Sequence, residues 1–352
     1  MAEPTVTSII GLYKSGTSWL LSALCHHPQV IGIREFDIIR AITGNPRDVP
    51  DLNQQSELLV NFFCRSPWCK VPKGLLERTL DLPAEEVIDI WAKQQNQTWG
   101  NPSKLSKPAT FFDLDRKVAA QFYDAVRNAS SKQELIDQFL EMLSTYSSNA
   151  DCLLLKAADQ IAVFDRLKEL VPNTKHVLIM RDGRDASISA FHYRKLMKEK
   201  NAPWMNTAEE QRDMKELLRA WASRARMVKR RLEAGEEIYV LRYEDLLLCF
   251  HEEFSGLLKW LGLDDSDQIV SEIKIATDFK NVTGRARGTE AKSVVRKGEI
   301  GEWVSSFSKD EKEEAWDEAG DLLSYFGYQK NGEQQEFVKS KQRNEILNIQ
   351  TQ

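Results

Sequence analysis

Apolar residues fall in short blocks along the chain, and their spacing alternates between strand-like and helix-like. Thr5–Leu12 (TVTSIIGL) is β-rich and predicts a buried strand ended by Gly11. Thr17–His26 predicts a helix with Trp19, Leu20 and Leu24 on its apolar face. From about Glu35 to Ala150 the pattern is mostly helical and irregular, broken by GNPRDVP, SPWCKVPKG and WGNPSKLSKPAT. This stretch is rich in Trp and Phe (Trp68, Trp91, Trp99, Phe111, Phe112) and shows no repeat. Strand-like blocks return at Cys152–Leu155, His176–Met180 and Glu237–Leu241. Helical patterns lie between and after them, at Ile161–Leu170, Ala186–Lys198, Thr207–Ala234 and Phe250–Leu261. Asn331–Gln352 is polar, lacks an apolar face and reads as a loosely packed tail.

Strands alternating with helices predict an α/β fold, a parallel sheet flanked by helices on both faces. The expected organisation is one domain over residues 1–330, carrying a helical insert at about 36–150, followed by a polar tail at 331–352. In such sheets ligands bind beyond the carboxyl ends of the strands. Four polar or charged segments stand there: Lys14–Ser18, Lys156–Asp159, Arg181–Asp185 and Arg242–Asp245. Their coincidence points to one shared site.

Composition narrows the class. The 352 residues are 42% hydrophobic and 29% charged, as in an ordinary globular protein. The net charge of −5 excludes a general basic footprint for nucleic acid, so an anion site must be a local cluster. The five cysteines are odd in number and form no CxxC, which fits buried thiols in a reducing, cytoplasmic setting. The first residues, MAEPTVTS, have neither the basic nor the apolar region of a signal peptide. No run approaches the ~18 apolar residues of a membrane span, so no membrane partner is expected.

Gly11-Leu12-Tyr13-Lys14-Ser15-Gly16-Thr17-Ser18 has the GxxxxG frame of a phosphate-binding loop between strand and helix. Amides of such a turn, with the helix N-terminus, cradle an anion. A nucleotide hydrolase places Lys directly after the second Gly, then Ser or Thr for magnesium. Here Thr17 holds the lysine position and Lys14 lies inside the turn. HVLIM ends in Arg181 where a magnesium-binding Asp would stand. A plain strand–helix turn with a solvated lysine is the bland alternative. Arg181, directly off a strand, and Ser189 on the next helix could grip one phosphate. Alternatively, Arg181 pairs with Asp182 or Asp185, and Ser189 merely fills the helix. Arg296-Lys297-Gly298 supplies two cations and a permissive glycine, suited to a flap over a phosphate or to a solvated basic turn.

Together these pieces resemble the PAPS-dependent sulfotransferases, nearest to the cytosolic small-molecule type (PAPS is 3′-phosphoadenosine 5′-phosphosulfate). YKSGTSW resembles that family's PKSGTTW loop, RDGRDASISAFHY its R-x-x-x-D-x-x-x-S segment, and RKGEIGEW its RKGxxGDW segment. LRYEDLL resembles its FYEDM strand end and ATDF, Ala276–Phe279, its TSF turn. The five matches come in family order across residues 5–308. The resemblance implies that Lys14, Ser15, Gly16, Thr17 and Ser18 bind the 5′-phosphate, with Lys14 also reaching the bridging oxygen. Trp19 would stack on adenine. Arg181, Ser189, Arg296, Lys297 and Gly298 would hold the 3′-phosphate, and Tyr243, Thr277 and Phe279 would line the adenine pocket. PAPS as co-substrate, PAP as product, a small-molecule acceptor and no required metal are the implied partners.

Sulfuryl transfer is an in-line attack by an acceptor oxygen or nitrogen on sulfur, with charge developing on the bridging oxygen. The sulfuryl group carries less negative charge than a phosphoryl group, which fits a loop with a lysine and no metal carboxylates. The acceptor also needs a general base. Cytosolic members take it from a K-x-H segment; here the aligned residues are Lys156-Ala157-Ala158-Asp159. Lys156 matches and would contact the sulfuryl oxygens, but the histidine is missing. HHPQVIGIREFDII resembles the base region of tyrosylprotein and heparan-type members, which makes Glu35 the preferred base, with Asp37, Asp159 and His192 behind it. A surface salt bridge of Glu35 with Arg34 or Arg40 is the competing reading. VSSFSKDEKE keeps little of the cytosolic dimer segment, so the oligomeric state is open. The aromatic-rich insert is expected to wall the acceptor pocket. Two other functions stay open: a P-loop kinase or nucleotide hydrolase, and a non-catalytic PAP-binding protein.

Overall fold

The computed structural model describes residues 4–32, 82–94, 115–146, 150–156, 161, 164–200 and 213–332. Glu35, Asp37, Asp159, Trp68, Trp99, Phe111, Phe112, Cys64, Cys69, most of the insert and the tail beyond residue 332 lie outside these. Five strands form one sheet: β1 (Thr5–Gly11), β2 (Val30–Gly32), β3 (Cys152–Lys156), β4 (Lys175–Met180) and β5 (Ile238–Arg242), in the order β2-β3-β1-β4-β5. The β1–β3, β2–β3 and β4–β5 pairings are parallel, as the alternation of strands and helices predicts. The three-residue β2 has too few positions to show a period, and the apolar pattern did not reveal it.

The chain divides into two compact units. One contains residues 1–9 and 24–175, the other residues 10–23 and 176–352. In the first, β3 runs between β2 and the start of β1, with Cys152 in register with both Thr5 and Val30. Helices α2 (Ala84–Gln94), α3 (Arg116–Asn128) and α4 (Lys132–Tyr146) come from the insert, and α5 (Phe164–Leu170) follows β3. Their apolar faces bury Val87, Ile88, Phe122, Ile136, Phe139 and Leu167 in one core with Leu153 and Leu155 of β3. The Phe122 and Phe139 rings meet at 6.1 Å. Asp115 caps α3, accepting from the Lys117 amide at 2.8 Å. This part of the insert therefore packs its apolar faces against β3. Each buried large side chain there contributes roughly 1.5–3 kcal/mol.

The second unit holds α1 (Thr17–Cys25) through residue 23, then β4, β5 and the helices from α6 onward. These are α6 (Gly183–Glu199), α7 (Met214–Glu233), α8 (Tyr243–Leu248), α9 (Phe250–Leu261), α10 (Asp267–Thr277), α11 (Phe279–Thr283), α12 (Glu302–Ser306) and α13 (Lys309–Tyr325). Helix α6 begins three residues before the apolar pattern does, because Asp182 caps it by accepting from the Arg184 amide at 2.9 Å. Helix α7 begins at Met214, later than the Thr207 its charge pattern suggests. Asp213 is in extended conformation there and accepts from the Glu216 amide at 2.8 Å. Trp221 of α7 covers the start of α6: a Cβ on Gly183 would lie 2.5 Å from its ring, and its indole N–H donates to the Arg181 carbonyl at 3.1 Å. No helix among the described residues is long and apolar enough to cross a membrane.

Candidate active site

The loop between β1 and α1 is built on two residues in the left-handed region. Lys14 has φ 66°, the only such non-glycine among the described residues, and Gly16 has φ 95°. Only glycine takes that conformation without steric cost. Gly16 is further constrained by packing, since a Cβ there would stand 2.7 Å from Tyr243 Cδ2. The turn closes through the Ser15 amide, which donates to the Leu12 carbonyl at 3.1 Å. The Trp19 and Leu20 amides both donate to the Gly16 carbonyl at 3.0 Å, which sets the first turn of α1 at the loop. A helix start offers amides and partial positive charge to an anion. The Ser15 side chain is fully buried, and its hydroxyl meets no hydrogen-bond partner among the described residues.

Two tyrosines flank this loop. The Lys14 ammonium lies 4.4 Å from the centre of the Tyr193 ring, and Tyr193 meets Tyr13 edge-on at 5.9 Å. Burial pushes the Tyr13 phenol well above its ordinary range, so it stays protonated at neutral pH. Tyr193 escaped the sequence reading. Its signal was its place on α6, four residues after Ser189 and so on the same helix face.

Arg181 leaves the end of β4 and is 8% exposed. Its Nη2 donates to the Glu299 carbonyl at 2.8 Å and stands 3.9 Å from Asp185 Oδ2, while its Nε is buried with no hydrogen-bond partner among the described residues. Its guanidinium lies 4.8 Å from the Tyr243 ring centre. Asp182 is engaged elsewhere, bonded to Arg184 at 2.9 and 2.6 Å. Of the two carboxylates weighed for Arg181, the nearer ion-pair partner is thus Asp185. Ser189 is half-buried on the next turns of α6.

Tyr243, the first residue of α8, joins these groups. Its ring abuts Gly16, lies under Arg181 and meets Trp19 edge-on at 5.5 Å. Its hydroxyl donates to the Gly298 carbonyl at 3.3 Å. Trp19 also packs on Phe250, with ring centres 6.1 Å apart. Phe279 lies against Gly298, which has φ 62° and where a Cβ would stand 2.8 Å from the Phe279 ring. The Thr277 hydroxyl donates back to the Ile273 carbonyl at 2.8 Å within α10. Trp19, Tyr243, Arg181, Gly298 and Phe279 are therefore neighbours, although they come from five separate stretches.

Arg296 and Lys297 are not the solvated cations of a basic turn. Arg296 Nη2 is hydrogen-bonded to Glu302, and Lys297 Nζ donates to the same carboxylate at 3.0 Å. Glu290 accepts from Arg296 Nη1 at 2.7 Å. The two cations hold the Glu302 carboxyl below its ordinary range, against the opposing effect of burial. His192 is half-buried close by. Burial, then the charge of Arg296, lowers its imidazole from the ordinary value and keeps it neutral near pH 7. The sequence reading passed over Glu302, whose only signal was the acidic position closing the RKGxxGDW-like stretch.

A second layer of charge supports Arg181. The Asp185 carboxylate accepts from the Gly301 and Trp303 amides at 2.7 and 3.1 Å, fixing the turn after Gly298. Desolvation raises its carboxyl to about 6, against the pull of Arg181. Glu244 accepts from the Asp182 amide at 3.0 Å and from the Tyr328 hydroxyl at 3.2 Å. Arg184 lies 3.5 Å from the Trp303 ring centre and donates to the Gln329 carbonyl at 2.8 Å. Lys156 belongs to the other unit, where it ends β3 in register with Ile9 and is 8% exposed.

A family model described as Sulfotransferase family matches residues 7–267. No curated protein matches the chain significantly. Among solved structures, the sulfotransferase domain from the curacin biosynthetic pathway aligns with a TM-score of 0.50 at 13% identity, over 93% of this chain and 99% of that one. The sulfotransferase domain from the Synechococcus PCC 7002 olefin synthase aligns at 0.49 and 12% identity, over 94% and 97%. Mouse sulfotransferase SULT7A1, complexed with PAP, aligns at 0.47 and 13% identity, over 92% and 84%. At these identities the likeness is one of fold. The family match runs from within β1 to the first residue of α10 and takes in the phosphate loop, Arg181 and Tyr243, and on that ground the chain belongs to the sulfotransferase family.

Proposed function

We propose that this chain moves a sulfuryl group from PAPS to a hydroxyl or nitrogen of a small-molecule acceptor by in-line displacement, releasing PAP. One observation carries the reading: Tyr243 touches the phosphate loop, Arg181 and the Gly298 turn together, so two anion-binding elements share one wall. A donor phosphorylated at both the 5′ and 3′ positions of its ribose needs two such elements. The residues present fit it. Among the described residues the buried Ser15 hydroxyl and Arg181 Nε each have an unused donor, and Gly16 leaves space where any side chain would strike Tyr243.

In this reading the loop and Lys14 hold the 5′-phosphosulfate, and the lysine offsets charge that builds on the leaving oxygen. Arg181, Ser189, Arg296, Lys297 and Gly298 hold the 3′-phosphate. Trp19, Tyr243, Thr277 and Phe279 form the adenine wall, in which the Thr277 hydroxyl proton is already committed to the Ile273 carbonyl. Lys156 contacts the transferring oxygens, and Glu35 takes the acceptor's proton, with Asp37, Asp159 and His192 as the other bases. A neutral His192 has the protonation state a base requires. A cytoplasmic setting belongs to the same reading.

Calorimetric titration with PAP, and with ADP as control, tests it without magnesium. PAP is expected to bind, ADP to bind far more weakly, and Arg181→Ala to remove the difference. Equal binding of both ligands, or binding of ADP only with magnesium, would replace this reading with a nucleotide hydrolase.

A further inference from the structure

Glu290 stands where an anion would. One carboxylate oxygen, Oε2, is shared between Arg296 Nη1 at 2.7 Å and Lys297 Nζ at 3.5 Å. The other carboxylate on these cations, Glu302, is only 7% exposed and touches both from the buried side. Glu290 approaches from the open side and is 56% exposed. The loop that carries it is folded back by hydrogen bonds to its own backbone. Arg285 donates to the carbonyls of Thr289, Val295 and Arg296 at 3.2, 2.6 and 2.9 Å, and the Gly288 amide donates to the Lys297 carbonyl at 3.0 Å. These bonds tie both ends of the 288–297 segment together and return residue 290 over the cations.

We infer that Glu290 is an internal occupant of the 3′-phosphate seat, so that donor binding is an exchange in which phosphate replaces this carboxylate on Arg296 and Lys297. The inference rests on the donor-site reading above. The two carboxylates divide the work. Glu302 is buried and bonded to both cations, so it stays and orients them. Glu290 meets the nearly buried Arg296 with an exposed carboxylate, so it is surrendered to a dianionic phosphate making charge-assisted bonds more readily than the buried Glu302 is. Glu290 thereby keeps two neighbouring cations neutralised before the donor arrives and lowers the donor's apparent affinity. It also adds selectivity, because a nucleotide lacking the 3′-phosphate has nothing with which to displace it.

The test is the affinity of Glu290→Gln for PAP and for ADP, measured by calorimetry beside the wild type and Glu299→Gln. Glu299 is the control: its carboxylate lies 3.9 Å from Lys297, is 45% exposed and is not shared between the two cations. Glu290→Gln should bind PAP about two- to fivefold tighter and leave ADP unchanged. Glu299→Gln should change neither by as much. Unchanged PAP affinity in Glu290→Gln, or an equal gain in Glu299→Gln, would overturn the exchange and leave the donor site standing. A wild type that does not prefer PAP to ADP would remove the donor-site reading itself, and this inference with it. Thermal unfolding of each variant, expected within a degree or two of wild type, shows that the affinity change is not a folding change.

Discussion

Glu244 turns the support of Arg181 into a measurable pH dependence. It is buried, with its carboxyl accepting from the Asp182 amide and the Tyr328 hydroxyl. Desolvation raises its pKa from 4.5 to about 7. The Asp182 charge works in the same direction, while the Asp182 amide and Arg181 oppose it. The folded protein therefore holds a proton that the unfolded chain has lost across that interval. Such a group stabilises the fold fully below the unfolded pKa, and that contribution disappears as pH rises through the folded pKa. A shift from 4.5 to about 7, at about 1.4 kcal/mol per unit, makes the change about 3 kcal/mol. Asp185, raised to about 6, adds a slope of the same sign, so the wild type alone does not isolate Glu244. The informative quantity is the difference from Glu244→Gln, which keeps an acceptor for the amide but does not titrate. Urea unfolding between about pH 4 and pH 8 should find the two proteins equally stable at the acid end. The variant should gain on the wild type by up to about 3 kcal/mol at the alkaline end. Parallel curves, or a variant that loses ground to the wild type as pH rises, would refute a raised Glu244 pKa.

Gly16→Ala places a methyl group 2.7 Å from Tyr243 Cδ2 at a φ of 95°, and calorimetry should find PAP binding weakened at least tenfold with the fold retained by circular dichroism. Asp182→Ala leaves Arg184, 2% exposed, without the carboxylate that accepts its Nε and Nη2, and urea unfolding should register a loss of about 3–5 kcal/mol. Tyr243→Ala removes the ring between Gly16, Arg181 and Gly298 and should abolish PAP binding, whereas Tyr243→Phe loses one hydroxyl bond and should weaken it only a few-fold. Sulfuryl transfer, assayed as PAP release with an accepted acceptor, should be unchanged by EDTA, because Arg181 stands at the strand end where a magnesium-binding Asp would.

The strands and the groups at their ends were legible in the chain because both are local properties. Apolar runs such as HVLIM and EIYVL declare buried parallel strands, and a polar or basic segment directly after each marks the sheet edge where ligands bind. Helices with competing signals were less clear. RDGRD looks like a turn, yet Asp182 caps α6 from within it, and YEDLLL at a strand end forms the short helix α8. What only the tertiary structure decided is which charge meets which. Nothing in the sequence pairs Glu244 with Tyr328, 84 residues away, or sets Arg184 against Trp303. By themselves Arg296 and Lys297 read as a solvated turn, and by resemblance as phosphate ligands; only the fold shows that Glu290 and Glu302 return to them. Hydrophobic periodicity reports which face of a segment leaves water, and that is settled within a few residues. The partner of a charged side chain is settled by where distant segments come to rest, and that information exists only once the chain has folded.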